Sequence, residues 1–468
     1  MSKEPTTFDE YMEEGIALED KAERYGGSGD RAQRFYERAA QFYGKAHELN
    51  KEDGDCLYNW GRVLYLLNDF HSASDSSQRL ALVDQAVSKF RASLSITPDN
   101  PDTLFNLAQA LVTLAELVDN ESESERILQE ATTIFEQVFK LQENTLAQQE
   151  ENEKNVNESE PDGEEPRDED EDEDDEKITK DILVDTLLAT INALISLAYL
   201  KPQPDASRLY REAISKIQQA LTFAEESRTI EIQLQWASAL SSQAERAWRE
   251  TARCDARLFE EALEKLEECI AKDPKHVEAL CDKGDVLVSY AQARSQMLAG
   301  ISGKEQAEEE RIRIWNLYAY ATKAYQTALE QEPENASILA KTGDICLIRA
   351  RLPFGELTQK SLPALIRNAL HYYRRGVKAA EKGADMEVRL CLAQTLEFAQ
   401  KSGVESNARE ELEQVLKEWR MRKPTQESLI KAAEESDVLD GEFVERLMLW
   451  TFGPPSNENI TLGGGSSA

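Results

Sequence analysis

The sequence predicts an all-α protein, a right-handed α-solenoid of about eight stacked helical hairpins. Three observations predict it. Across 468 residues there are only 21 glycines and 14 prolines, while the strong helix formers Ala, Leu, Glu, Gln and Lys dominate. No stretch alternates apolar and polar residues in the manner of short strands. The apolar residues instead recur at helical spacing, in segments that repeat one order of side-chain sizes.

That order is clearest around CLYNWGRVLYLLNDF, residues 56–70, where a glycine interrupts an apolar helical run. Glycine costs a helix interior about 1 kcal/mol relative to alanine, so Gly61 implies that something approaches the backbone closely. Before it come Ala39, Tyr43 and Ala46; after it come Ala86, Phe90 and Ser93, then Pro98. The spacing small, aromatic, small, breaker returns as Ala131, Phe135, Val138, as Ala262, Leu266, Cys269, Pro274, and as Ala321, Tyr325, Ala328, Pro333, and more loosely as Ala369, Tyr373, Gly376. Each instance closes a hairpin. The helices before them carry a large residue, a large-small pair and a large residue: Leu57, Trp60-Gly61, Leu64; Leu104, Leu107-Ala108, Leu111; Leu280, Lys283-Gly284, Leu287; Leu339, Thr342-Gly343, Cys346.

Aligned in this way, hairpins fall near 8–53, 54–100, 101–144, 179–226, 229–276, 277–335, 336–383 and 386–422. Residues 1–144 form an N-terminal block and 179–422 a C-terminal block, with 145–178 an acidic disordered insertion between them. Residues 423–452 open with Pro424 and a cap-like Thr425-x-x-Ser428 and read as short helices covering the last repeat, since arrays need a polar end. Residues 453–468, rich in Gly and Ser, read as a flexible tail.

The recurring pattern resembles the tetratricopeptide repeat, and Tyr43 to Leu57, Pro98 to Leu111 and Pro274 to Leu287 keep its register closely. The resemblance implies that Gly61, Ala108, Gly284 and Gly343 sit where the first helix of a repeat packs tightly on the second. It departs in length, because the spacing of Pro98, Pro274 and Pro333 implies repeats of about 45–60 residues rather than the family's 34. Repeat two also looks like the plant-type receptor subunit of the mitochondrial outer-membrane import machinery over about 50 residues, a likeness read as shared repeat ancestry.

Charge sets the partner class. With 89 acidic against 54 basic residues the net charge is -35, which disfavours nucleic acid and anionic membrane and favours a basic protein. From Glu150 to Glu176 there are seventeen acidic and two basic residues, ending in the unbroken run Glu169, Asp170, Glu171, Asp172, Glu173, Asp174, Asp175, Glu176. Read functionally, this run is a tethered polyanion that speeds capture of a Lys/Arg-rich partner; read blandly, it is a solvated loop. Ser122, Ser124 and Ser159 precede acidic residues in a context resembling acidophilic kinase sites.

No chemistry is indicated. The four histidines lie in different repeats, the six cysteines form no C-x-x-C pair, and no phosphate-loop, dinucleotide, zinc-protease or nucleophile-elbow motif occurs. The expectation is a protein that is not an enzyme and takes no cofactor or metal. Its start lacks a signal peptide and no 18 consecutive apolar residues occur, so the chain reads as soluble, cytoplasmic and/or nuclear, and monomeric apart from its client.

In tetratricopeptide arrays the first helix of each hairpin lines the concave groove, and the residue before the large-small pair points into it; here these are Asn59, Asn106, Gln235, Asp282 and Lys341. The following positions add Arg62, Asp285 and Asp344. Asn59 and Asn106 suit sequence-tolerant holding of a peptide backbone, and Asp282, Asp285 and Asp344 suit a basic peptide. The carboxylate clamp of heat-shock co-chaperones is not supported, since Met12 and Ile16 stand at its places in repeat one. The functional expectation is a protein-binding module acting as an acidic escort chaperone or adapter for a basic client, a ribosomal protein or a histone. A scaffold subunit is the alternative, and an organelle-import adapter a weaker one.

Overall fold

The computed structural model describes residues 5–71, 76–159, 177–380, 386–436 and 438–453. Among them the regular elements are helices throughout. Two antiparallel helices make each hairpin: α1 (Phe8–Arg24) with α2 (Gly29–Leu49), α3 (Gly54–Leu67) with α4 (Ser76–Ile96), and α5 (Pro101–Leu117) with α6 (Glu121–Ser159). Then come α7 (Lys180–Leu200) with α8 (Asp205–Phe223), followed by α9 (Thr229–Thr251) and α10 (Ala256–Lys272). The pairs α11 (Val277–Leu298) with α12 (Lys304–Gln331), α13 (Ala336–Arg351) with α14 (Glu356–Ala379), and α15 (Met386–Lys401) with α16 (Ala408–Met421) complete the hairpins. Two shorter helices, α17 (Gln426–Glu435) and α18 (Gly441–Phe452), end the order. Apart from α6, the helix bounds fall near the expected hairpins, and contacts run in chain order from α1 to α8 and from α10 to α16, as stacking in an α-solenoid requires.

The starts are set by local chemistry. Thr7, Asp53, Asn100, Thr179, Asn335 and Thr425 each accept a hydrogen bond from an N–H in the first turn of the helix they precede. His276 does the same for α11 through its ring nitrogen, 3.3 Å from the Ala279 N–H, so this histidine is a helix cap.

The chain divides into two compact units, Met1–Arg246 and Ala247–Ala468. In the first, Phe90, Phe135 and Tyr210 are fully buried in a core that also takes Ala108, Leu187 and Ile217. In the second, Tyr325 and Ile314 anchor one cluster, and Tyr373, Leu396 and Trp419 another. Leu429 of α17 and Phe443 and Leu447 of α18 join that last cluster.

Gly61 now has its reason. A Cβ built on it would lie 2.8 Å from Phe90 Cε1, closer than a carbon can sit without displacing the ring. The same meeting of small residue and ring occurs between Gly343 and Tyr373 at 2.7 Å, between Gly15 and Tyr43 at 2.6 Å, and between Gly284 and Tyr325. First helix thus packs on second through a glycine under an aromatic face.

Three expectations change. Helix α6 does not stop near 144 but runs to Ser159, so residues 145–159 are helical and the insertion's first boundary moves; Leu146 still packs on the core, and beyond it a stretch rich in Gln and Glu holds helix by propensity. At its base, with the Gln149 amide turned over, its nitrogen would donate to the Ile178 carbonyl at 3.0 Å and its oxygen accept from the Ile178 N–H at 3.2 Å. The run Glu169 to Glu176 lies outside the described residues. Ser124 is buried and its hydroxyl donates to the Ala115 carbonyl, which removes it as a kinase site, whereas Ser122 is exposed and the side chain of Ser159 is outside the described residues. Finally, α7 is long and apolar enough to cross a membrane, yet Leu183, Leu187, Ile191 and Leu194 are buried among neighbouring helices, as a helix apolar all round is when it lies in a protein core.

Candidate peptide-binding cleft

In the second unit the first helices α11, α13 and α15 face a common cleft of about 670 Å³. Its apolar floor includes Val288, Ala340, Ile345, Ile348 and Val388, and its polar wall includes Asp285, Lys341, Asp344 and Glu387. The register that puts Gly284 and Gly343 beneath their tyrosines turns the next residue of each helix, an aspartate, toward the rim.

Each of these aspartates accepts a hydrogen bond from the ring that the preceding glycine admits. The Tyr325 hydroxyl donates to Asp285 Oδ1 at 2.6 Å, and the Tyr373 hydroxyl donates to Asp344 Oδ1 at 2.6 Å. Burial, and then the neighbouring carboxylates, hold both phenols far above their ordinary titration range, so they remain donors at every physiological pH. Lys341 Nζ meets both oxygens of Asp285, at 2.9 and 2.7 Å. Asp282, one turn earlier on α11, is half-buried; burial first, then Glu278 and Asp285, push its carboxyl up to about 6, with Lys341 opposing.

Of the residues singled out in the sequence, the structure brings Asp285, Asp344 and Lys341 together and sets Asp282 beside them. Asn59, Arg62 and Asn106 belong to the first unit. There Arg62 is paired with the buried carboxylate of Glu19, which also accepts from the Tyr43 hydroxyl. Burial raises the Glu19 carboxyl above its usual range, against the lowering effect of Tyr43 and Arg62. Arg62 thus takes part in the packing between repeats one and two. Asn106 spends its amide on its own helix, donating to the Asp102 carbonyl at 2.9 Å, with Tyr58 Oη at 3.4 Å. Asn59 is half-buried on α3.

Sequence reasoning missed Glu19 and the tyrosine hydroxyls. It also missed a cleft of about 650 Å³ in the first unit, lined by Gln109, Thr113, Glu116, Asp185, Asn192 and Glu231 among others. Its acids are partly answered by Arg228, 2.6 Å from Asp185 and 2.8 Å from Glu231. A signal for the hydroxyls existed: where the second helix carries Tyr325 or Tyr373, the first has an acid after its glycine, whereas the repeats with Phe90 and Phe135 have Arg62 and Gln109 there.

Comparison with known proteins adds the following. The model of the plant-specific mitochondrial import receptor subunit TOM20 matches residues 29–157. The UPF0656 protein C926.02 of Schizosaccharomyces pombe is 23% identical over 396 residues, spanning 80% of this chain and 85% of that protein. Mitochondrial import receptor subunit TOM20-3 of Arabidopsis thaliana is 32% identical over 102 residues, 22% of this chain and 49% of the receptor. Among solved structures, the tetratricopeptide protein TTC0263 of Thermus thermophilus aligns over 61% of this chain and 98% of its own, with 16% identity and a TM-score of 0.28. Residues 1–338 of Acl4, the assembly chaperone of RpL4, align over 69% of this chain and 99% of their own, with 18% identity and a TM-score of 0.32.

Proposed function

We propose that this chain, a tetratricopeptide-repeat protein, is a non-catalytic binding module that holds a basic protein segment in the cleft of its second unit and escorts the client carrying it. The observation that supports this is the pairing in one cleft of rim carboxylates, Asp285 and Asp344, with an apolar floor. An extended peptide with alternating basic and aliphatic side chains presents cations to the rim and methyl groups to the floor. The net charge of -35 steers such a client toward the chain and repels polyanions. A ribosomal protein or a histone is the client class with that chemistry, and the run Glu169 to Glu176 raises its capture rate. The protein works as a monomer in the cytoplasm or nucleus.

The test is affinity purification on the wild type and on an Asp285→Asn, Asp344→Asn double variant, washed at low and high salt, with bound proteins identified by mass spectrometry. Basic proteins held by the wild type at low salt, and lost in the double variant and at high salt, are expected. The same neutral partners recovered from both proteins at both salts would instead make this a scaffold subunit. The match to the import-receptor model over residues 29–157 supports a second reading, an import adapter working through the first unit. A basic amphipathic presequence peptide bound equally by the wild type and the double variant would favour it.

A further inference from the structure

Resting on the cleft reading above, we propose that the link between α17 and α18 is a built-in occupant of the same groove, and that it ends the client site at Ser436, so that the cleft holds about five residues of extended chain. Its backbone is held as a bound peptide would be. Ser436 lines the cleft, with its Oγ 3.9 Å from Cys391 Sγ. Further along, the buried Gln394 side chain uses both ends of its amide: the nitrogen donates to the Val438 carbonyl at 2.8 Å, and the oxygen accepts from the Asp440 N–H at 2.5 Å. Arg351 donates to the same Val438 carbonyl at 2.7 Å, and the Val438 side chain is buried.

These contacts keep the groove's own register. On α13 the cleft takes Ser337, Lys341, Asp344 and Ile348, and Arg351 is the next residue at that three-four spacing. On α15 it takes Glu387, and Cys391 and Gln394 continue the same stripe. The link thus covers the stretch that follows the open cleft on both helices.

Its ends are anchored, because Leu429 of α17 and Phe443 and Leu447 of α18 are buried in the core cluster. Charge also closes the covered stretch to a basic chain: Arg351 stands there, with Asp440 near enough that its charge acts on it. The open part of α13, from Ser337 to Ile348, is about 16 Å long at 1.5 Å per residue. That is room for about five residues of extended chain.

Fluorescence anisotropy on the full chain compares the peptide Arg-Val-Arg-Val-Arg with the same peptide carrying Ser-Asp-Val-Leu-Asp, the link's own sequence, at its C-terminus. The wild type should bind the long peptide no more tightly than the short one, since the added residues find their place taken. A variant in which Ser436–Leu439 is replaced by about ten Gly and Ser residues keeps the Asp440 cap of α18 and vacates Gln394. It should bind the short peptide as the wild type does and the long one roughly tenfold more tightly, two hydrogen bonds being gained. Gln394→Leu in that background should remove the gain. The same gain already in the wild type, or no gain in the linker variant, overturns the inference and leaves the cleft reading standing. Hydrogen exchange on the wild type is the second measurement, independent of how the variant folds: the Asp440 N–H should stay protected with the long peptide bound, and its release would overturn the inference. Failure of the wild type to bind either peptide overturns the cleft reading and the inference with it.

Discussion

Gly343→Ala is the sharpest test of why a helical glycine stands in each tight hairpin. Its new methyl would lie 2.7 Å from Tyr373 Cε1, 2.9 Å from Cδ1 and 3.0 Å from Cζ. The ring has no room to retreat: Tyr373 is fully buried, and its hydroxyl is tied to Asp344 at 2.6 Å. Overpacking a core by one methyl costs about 1–3 kcal/mol, and a ring pinned at both ends belongs at the upper part of that range. Alanine returns about 1 kcal/mol of helix propensity, so the net loss should be about 1–2 kcal/mol. Gly44→Ala in α2 is the internal control, because its methyl would meet Trp60 Cζ2 at an ordinary 3.4 Å; there the propensity gain should stand, about 0.5–1 kcal/mol of stabilisation. Urea unfolding followed by circular dichroism reads both shifts in midpoint. If Gly343→Ala stabilised the protein as much as Gly44→Ala, the ring would be yielding and close approach would not be the reason for the glycine.

Further consequences follow from the cleft. Tyr373→Phe removes the donor to Asp344 with little change in packing volume, and urea unfolding should show a loss of about 1.5–3 kcal/mol, as for a hydrogen bond to a charged group. Asp282 keeps its proton in the folded state up to about pH 6, against 3.8 for an unperturbed aspartate. The folded state therefore binds the extra proton between those values, stability falls as pH rises through that window, and the penalty is complete above about 6. Asp282→Asn should flatten that slope in melts taken from pH 4 to 7. A bound cation favours the ionised carboxyl, so affinity of the wild type for a basic peptide should rise between pH 5 and 7, and less so for Asp282→Asn.

Much of the fold was legible because the repeat writes its packing into residue size. Gly61, Gly284 and Gly343 lie under Phe90, Tyr325 and Tyr373 as the small-on-aromatic pattern implied, and Pro98, Pro274 and Pro333 fall in the turns between hairpins. Helix α6 was misjudged beyond residue 144 because past Leu146, which still packs on the core, a strongly polar stretch leaves no apolar period to read, although Gln, Glu and Lys favour helix. The cleft was half legible. Asp285 and Asp344 stood at groove positions, but sequence offset alone could not show that each accepts from a tyrosine of the next helix, or that Lys341, 56 residues further on, closes on Asp285. The pairing of Arg62 was illegible for the same reason: its partner Glu19 lies 43 residues earlier, in another repeat, and contacts between repeats follow from the stacking, not from local spacing.

Site-specific photo-crosslinking tests most directly whether a basic segment lies in the second unit's cleft. A benzophenone side chain in place of Ala340 sits on the cleft floor, and one in place of Glu413, exposed on α16, serves as the comparison. Illumination in a cell extract should join a Lys/Arg-rich peptide to position 340 and little to position 413, with the yield falling in the Asp285→Asn, Asp344→Asn background. Capture of the basic client at 413 and not at 340 would place binding elsewhere and contradict the account.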